Sequence, residues 1–213
     1  MKRIKVLALG LLLTVSFNCK EAKKTEGPEG TEAKNELSQK FSLVKDSTKV
    51  GFTAYKTTEK VAVGGKFTKI DITSTQEGNS ALEALNGTKF SIPVSSLFTN
   101  DATGVRDPKI LEFFFGVMKN TTLITGIFKV SDDKTCAIDI TLNGETKSIP
   151  LNHKMLGDQW LEFNGVMDLE NWNALDAVSS INKACEILHT GADGVSKTWS
   201  EVAVNAKVLL KQD

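Results

Sequence analysis

The chain has 213 residues, with 26 basic and 26 acidic side chains that cancel to a formal net charge of zero. With no long basic run in the part that should fold, nucleic acid is excluded as a partner on electrostatic grounds. Two histidines and three cysteines, with no His-x-x-x-His and no Cys-x-x-Cys spacing, leave no visible ligand set for a metal.

The N-terminus reads as an export signal. Met1-Lys2-Arg3-Ile4-Lys5 is a basic n-region, and Val6 to Phe17 is an apolar run too short to span a bilayer comfortably. Val15-Ser16-Phe17-Asn18-Cys19 places a cysteine directly after that run and resembles a bacterial lipobox. The competing reading is an incidental thiol beside an ordinary cleavage site, which the bulky Phe17 and the Asn18 suit badly. Acyl chains on Cys19 would tether the protein to a membrane without spanning it. Lys20 to about Asn35 has no large apolar residue and reads as a solvated tether. The expected organisation is a lipoprotein signal peptide over 1–18, an acylated Cys19 with its tether over 19–38, and one domain over 39–213. The expected location is the bacterial cell envelope, with the domain on the periplasmic face or the outer surface.

From Ser42 onward the pattern is short strands separated by turn signals, which points to an all-β barrel or sandwich. Val50, Phe52 and Ala54 alternate with Gly51, Thr53 and Tyr55. Gly64-Gly65 punctuates the next strand pair, and Phe67, Ile70 and Ile72 break parity, which predicts a bulge. Phe90, Ile92 and Val94 form another alternating strand that ends at Ser95-Ser96.

The stretch Ser96 to Met118 joins a charged pair, a helix start and a dense aromatic run. Asp107-Pro108 predicts a helix entry with the Asp107 carboxylate as cap, and the helix runs from Pro108 to Met118. Ile110, Leu111, Phe113, Phe114 and Phe115 cover most of its circumference with apolar surface, as suits a plug or lid on a barrel. Arg106 and Asp107 admit two readings: an ion pair with a helix cap that fixes this loop, or recognition of a ligand head group.

Strands recur over Ile124 to Val130, Cys136 to Leu142, Ser148 to His153, Trp160 to Leu169 and Val202 to Leu210. Asn143-Gly144 is a strong two-residue hairpin signal, because both residues accept positive φ. Asp132-Asp133 turns the preceding hairpin and reads as solvated. A second helix is predicted from Ala174 to His189, capped by Asn173, with Leu175, Val178, Ile181, Cys185 and Leu188 on one stripe. His189 at its C-terminal end is favoured there as a cation by the helix dipole. Cys136 and Cys185 fall on apolar faces and read as buried free thiols.

These residues carry a resemblance. Ser96, Leu97, Thr99, Arg106, Asp107, Ile110, Phe113 and Phe114, followed by Thr141, Leu142, Asn143, Gly144, Thr146 and Lys147, resemble the motifs of the YceI-like family of lipocalin-like, polyisoprenoid-binding bacterial proteins. The resemblance runs from about Ser42 to Leu210. It departs where Lys119-Asn120-Thr121 replaces the family's usual Tyr-Pro, and in a longer late helix. It implies an antiparallel barrel of about eight strands with two short helices, and an isoprenoid-type lipid as the bound molecule.

A barrel of that size is either packed by its own side chains or holds one small ligand. Small residues between large ones, such as Ala54, Gly65, Gly126 and Ala137, keep the second option open. The candidate ligand-binding residues are Phe52, Phe67, Phe90, Leu97, Phe98, Arg106, Asp107, Phe113, Phe114, Phe128 and Ile138. No nucleophile elbow, phosphate loop or calcium loop is present, so no catalytic residue, metal or further cofactor is expected. The leading function is non-catalytic binding or carriage of an amphipathic lipid, an isoprenoid quinone or polyprenyl lipid by resemblance. A filled structural, adhesive or stress-related envelope lipoprotein and a cryptic hydrolase stand as alternatives; a second copy of the chain, in a homodimer, is among the candidate partners.

Overall fold

The computed structural model describes residues 40–132 and 135–212. The expectations for the signal peptide, for Cys19 and for the tether lie outside the described residues, as does Asp133.

The described chain is built on ten strands: β1 (Phe41–Lys56), β2 (Val61–Phe67), β3 (Asp71–Ser74), β4 (Lys89–Pro93), β5 (Leu97–Phe98), β6 (Leu123–Val130), β7 (Cys136–Leu142), β8 (Glu145–Leu156), β9 (Trp160–Asp168) and β10 (Glu201–Gln212). All pairings are antiparallel, in the order β3-β4-β6-β7-β8-β9-β10-β1-β2-β5. The excess over eight comes from the short β3 and β5, which have four and two residues. Four helices accompany them: α1 (Ala81–Leu85), α2 (Arg106–Phe113), α3 (Leu175–Ala184) and α4 (Glu186–His189).

The sheet closes through one corner. β4 pairs with β3 and β6 at one end of the strand order; a single 3-10 turn at Val94–Ser96 then delivers β5 to β2 at the other end. Ser96 holds the corner. Its hydroxyl donates to Pro93 O at 2.7 Å and its carbonyl accepts from Thr68 N at 2.8 Å. A second tie joins Phe41 to Gly78 through reciprocal backbone bonds of 2.8 and 3.1 Å. Closure of this kind removes the exposed edges that open sheets must otherwise protect.

Local chemistry corrects several expectations. The parity break at Phe67 to Ile72 comes chiefly from the chain leaving the sheet at residues 68–70, between β2 and β3. Register shifts do occur just beyond it, between Ile72 and Ser74 in the β3–β4 pair, and in β1 between Val44 and Lys49. The first long helix is shorter than predicted, because the chain turns into a 3-10 turn at Phe115–Val117 after Phe114. Asp107 is not its cap. Asp101 Oδ2 accepts from Val105 N at 3.2 Å and Arg106 N at 3.1 Å, so the residue six positions upstream does that work. The second helix breaks in two at Cys185, and Asn173 sits in the left-handed region (φ 52°) closing a preceding 3-10 turn, Leu169–Trp172. Asp132 is not merely solvated, since its Oδ1 accepts from Thr135 N at 2.7 Å. Cys136 and Cys185 are free and buried, and burial raises the Cys136 thiol pKa.

Two apolar clusters occupy the barrel. One gathers Phe115, Met118, Trp172 and Val178 with Ile140 and Ile149, where α2 and α3 cover one end. The other gathers Leu82, Leu85, Phe128, Phe163 and Leu210 under α1. Trp172 is fully buried, and its indole N–H donates to Ile140 O at 2.9 Å, so the largest core side chain leaves no orphan polar atom.

The hairpin at Asn143-Gly144 forms as expected, with φ of 51° and 77° and Leu142 opposite Glu145. The Asn143 side chain also does something the turn alone does not require. Its Oδ1 accepts from Lys119 N at 2.8 Å, and its Nδ2 donates to Trp172 O at 2.9 Å and Asn173 O at 3.0 Å. Two segments, at Lys119 and at Trp172-Asn173, are thereby clamped to one hairpin tip. Asn143→Ala should lower unfolding free energy by about 2–4 kcal/mol in chemical denaturation. Asn143→Gly, which keeps the positive φ and loses only the clamp, should cost about 1–2 kcal/mol less.

Candidate functional site: an apolar cavity with a basic mouth

Between the two clusters the barrel is not filled. A cavity of ≈ 660 Å³ runs through it, with a wall drawn almost wholly from apolar side chains of both clusters. That size falls within the roughly 300–1,000 Å³ of small-molecule sites. Leu43, Leu85, Phe128 and Val208 line its far end, and Ile140, Leu142, Met167 and Val178 the end under the helices.

The two aromatic pairs of the wall explain how it stays hollow. Phe52 lies opposite Gly65 in the β1–β2 register, and a Cβ on Gly65 would stand 2.3 Å from the Phe52 ring. Phe90 lies opposite Gly126 in β4–β6, with a corresponding 2.4 Å approach. Each glycine gives its space to a ring that lies flat across the neighbouring strand, so Gly65 and Gly126 act through the rings and are not themselves gaps. Ala54 lines the cavity, whereas Ala137 does not.

Of the residues expected at a ligand site, the structure brings together Phe52, Phe67, Phe90, Phe114, Phe128, Ile138 and Arg106 on the cavity wall. Four others stand elsewhere. Leu97 is buried at the barrel corner opposite Phe67, where α2 packs against β5. Phe98 faces outward, with the Lys66 ammonium 5.3 Å from its ring centroid. Phe113 is half-buried off the wall: as the helix gives way to the 3-10 turn, Phe114 and Phe115 take the inner side, edge to face at 5.0 Å. Asp107 is a latch. Its Oδ1 accepts from the Thr99 hydroxyl at 2.5 Å and from Thr99 N at 3.1 Å, pinning the first turn of α2 to the strand end after β5. It makes no ion pair with Arg106, whose guanidinium lies 3.7 Å from Asp101 instead.

The cavity reaches the surface beside α2 and α4. The half-exposed Val105 and Leu188 line it there, together with Lys56, Arg106, Lys109, Asp101 and His189. Lys56 Nζ donates to Leu188 O at 2.9 Å, and Trp199 closes the rim by donating its indole N–H to Thr57 O at 2.8 Å. The Thr103 hydroxyl at Asp101 holds that carboxyl below its usual pKa.

His189 departs from expectation. It shares a 2.7 Å bond between Nδ1 and Thr198 Oγ1, and burial, then the nearby Lys56 and Lys109 charges, lower its pKa. The helix-dipole argument for a cation loses because α4 is only four residues long, the ring is buried, and the charges of Lys56 and Lys109 oppose protonation.

Sequence reasoning missed Lys56, Lys109 and His189 as parts of this site. Lys56 carries one signal, as the charged residue that ends the apolar alternation Val50, Phe52, Ala54 on the cavity side of β1; Lys109 and His189 carry none, because helix faces at a barrel mouth are set by tertiary packing.

The profile of the YceI-like domain matches residues 41–209. The chain belongs to the YceI-like family. Among solved structures, it is similar to a polyisoprenoid binding domain from Saccharophagus degradans implicated in plant cell wall breakdown, at 12% identity and a TM-score of 0.57, over 81% of this chain and 98% of that one. BcnA of Burkholderia cenocepacia is similar at 16% identity and a TM-score of 0.50, over 80% and 99%. At such identities the likeness speaks to the fold: the YceI-like domain here has the mostly antiparallel β architecture of its neighbours. No curated protein sequence matches the chain.

The depressed His189 pKa fixes a sign. The unfolded chain takes up the imidazole proton first, near pH 6.5, so stability is complete above that value and falls as pH drops toward the lower folded pKa. In denaturation series from pH 8 to 5, wild type should lose stability below about pH 6.5 while His189→Gln stays flat. Losses below about pH 4, from Asp101, Asp139 and Asp193, should be common to both.

Proposed function

We propose that this YceI-like barrel binds and carries one amphipathic lipid with a long isoprenoid-type chain, of the quinone or polyprenyl class, without catalysing a reaction on it. The supporting observation is the unfilled apolar cavity between two well-packed end clusters. Burying a hydrocarbon chain there gains roughly 0.8 kcal/mol per CH₂ and needs pocket length, not reactive groups. The description of the Saccharophagus degradans domain as polyisoprenoid binding supports an isoprenoid chain over other hydrocarbons. The cell envelope is the proposed setting, with residues 1–18 as signal peptide and Cys19 acylated, on the strength of the basic n-region, the apolar run and the cysteine that follows it.

Mass spectrometry of organic extracts from gently purified protein should find a lipid at close to one per chain. Phe114→Ala, which widens the wall, should release that lipid while keeping a cooperative melt near that of wild type, and Phe113→Ala, off the wall, should retain it. Loss of lipid and stability in step across such variants, or a wild-type protein without lipid, would refute carriage. Incorporation of a clickable fatty acid in cells should be strong for wild type and absent for Cys19→Ala; equal labelling would sink the anchor.

A further inference from the structure

Two hydroxyls stand among the apolar side chains that close the far end of the cavity. They belong to Thr48 and Thr88, both of which line it. Along β1 the residues Thr48, Val50, Phe52, Ala54 and Lys56 all face the cavity, so this one strand carries the wall from the far end to the mouth. Thr48 sits in the stretch where the β1 register shifts, between Val44 and Lys49 and opposite Val208. Thr88 precedes β4 and is held beside Leu85 and Phe128 by its backbone. Its N–H donates to Leu85 O at 3.0 Å, and its carbonyl accepts from Phe128 N at 2.9 Å.

The side-chain oxygens are a different matter. Both are withdrawn from solvent, and neither makes a hydrogen bond among the described residues. Thr88 as a whole is only 5% exposed. Buried side-chain oxygens are almost always paired, because a hydroxyl that leaves water without a partner loses more than a completed hydrogen bond contributes. Valine has nearly the same shape and would fill either position with no oxygen to desolvate. Packing alone therefore does not account for the two hydroxyls. The charged side chains of the wall, Lys56, Asp101, Arg106 and Lys109, stand at the mouth. An ionised group at the far end would lose its hydration with no counter-charge beside it, whereas a neutral oxygen would complete the hydroxyls at little cost.

We propose that the far end of the cavity is a polar seat, where the Thr48 and Thr88 hydroxyls hold a neutral oxygen of the bound lipid, a carbonyl or a hydroxyl. This rests on the lipid-binding reading and deepens it. The ligand carries an oxygen on the end that enters first, and its hydrocarbon runs back past Phe52 and Ala54 toward the mouth. As an acceptor, that oxygen takes the hydroxyl hydrogens; a ligand hydroxyl can donate in return, since each threonine oxygen also keeps its lone pairs.

Two probes test the seat: geranylgeraniol, and the hydrocarbon of the same skeleton that lacks the hydroxyl, each titrated into delipidated wild-type protein and into Thr48→Val/Thr88→Val. Wild type should bind the alcohol at least about tenfold tighter than the hydrocarbon, a preference of about 1.4 kcal/mol. The double variant should lose that preference and bind the hydrocarbon at least as well as wild type does. Free of lipid, it should melt no lower than wild type, because valine leaves no hydroxyl to desolvate. Thr88→Ser, which keeps the hydroxyl, should retain the preference. A lipid-free double variant that melts lower or does not fold shows hydroxyls already satisfied within the protein, and overturns the seat. A preference that survives both valines puts the lipid oxygen at the mouth and overturns it too, as does equal affinity of the two probes for wild type; lipid binding stands in either case. If neither probe binds wild type, the lipid reading itself falls, and the seat with it.

Discussion

Closure of the sheet at Ser96 is the constraint from which the rest of this domain follows. A ten-residue run, Lys89 to Phe98, supplies strands to both ends of the strand order, and only a tight turn at Val94–Ser96 lets it do so. Once closed, the barrel has a lumen, and the segment leaving the corner must pass over its end. Thr99, the first residue beyond β5, is where Asp107 latches α2. The corner therefore positions the helix, and through it Arg106, Lys109 and Phe114 at the mouth.

A hollow barrel must gain its stability elsewhere. Here burial is concentrated in two end clusters, around Trp172 and around Leu161 and Leu210, each nearly or wholly inaccessible to solvent. The middle is left open by pairing aromatic rings with glycines across the strands, which keeps Phe52 and Phe90 against the wall. A side chain larger than hydrogen at Gly65 or Gly126 would displace a ring toward the lumen. The same pairs that complete the wall thus set the width of the cavity.

Electrostatics then distinguishes the two ends of the cavity. Apolar side chains close the far end, while the mouth gathers cations from two elements distant in sequence, Lys56 of β1 and Arg106 and Lys109 of α2, beside His189 of α4. Burial, and after it the charges of Lys56 and Lys109, make His189 harder to protonate than a helix-end histidine ordinarily is.

The sequence alone determined the strand periodicity, the hairpin at Asn143-Gly144, the inward faces of Phe52, Phe90, Phe128 and Ile138, and membership of the YceI-like family through its motifs. These are local properties: alternation of two, a pair of residues that tolerate positive φ, and fixed spacings. Four of the expected site residues fell off the cavity because their positions depend on how one element meets another. Asp107 has the chemistry of a cap, yet Asp101 takes the amides of Val105 and Arg106 and Thr99 offers Asp107 two donors. Phe113 and Phe114 are neighbours of identical chemistry, and only the change from α-helix to 3-10 turn decides which one faces the lumen. Leu97 and Phe98 flank a corner whose direction no periodicity encodes. Whether the barrel is filled was likewise decided by tertiary structure, since the volume left between strands depends on ring orientations across registered pairs and not on the composition of any one strand.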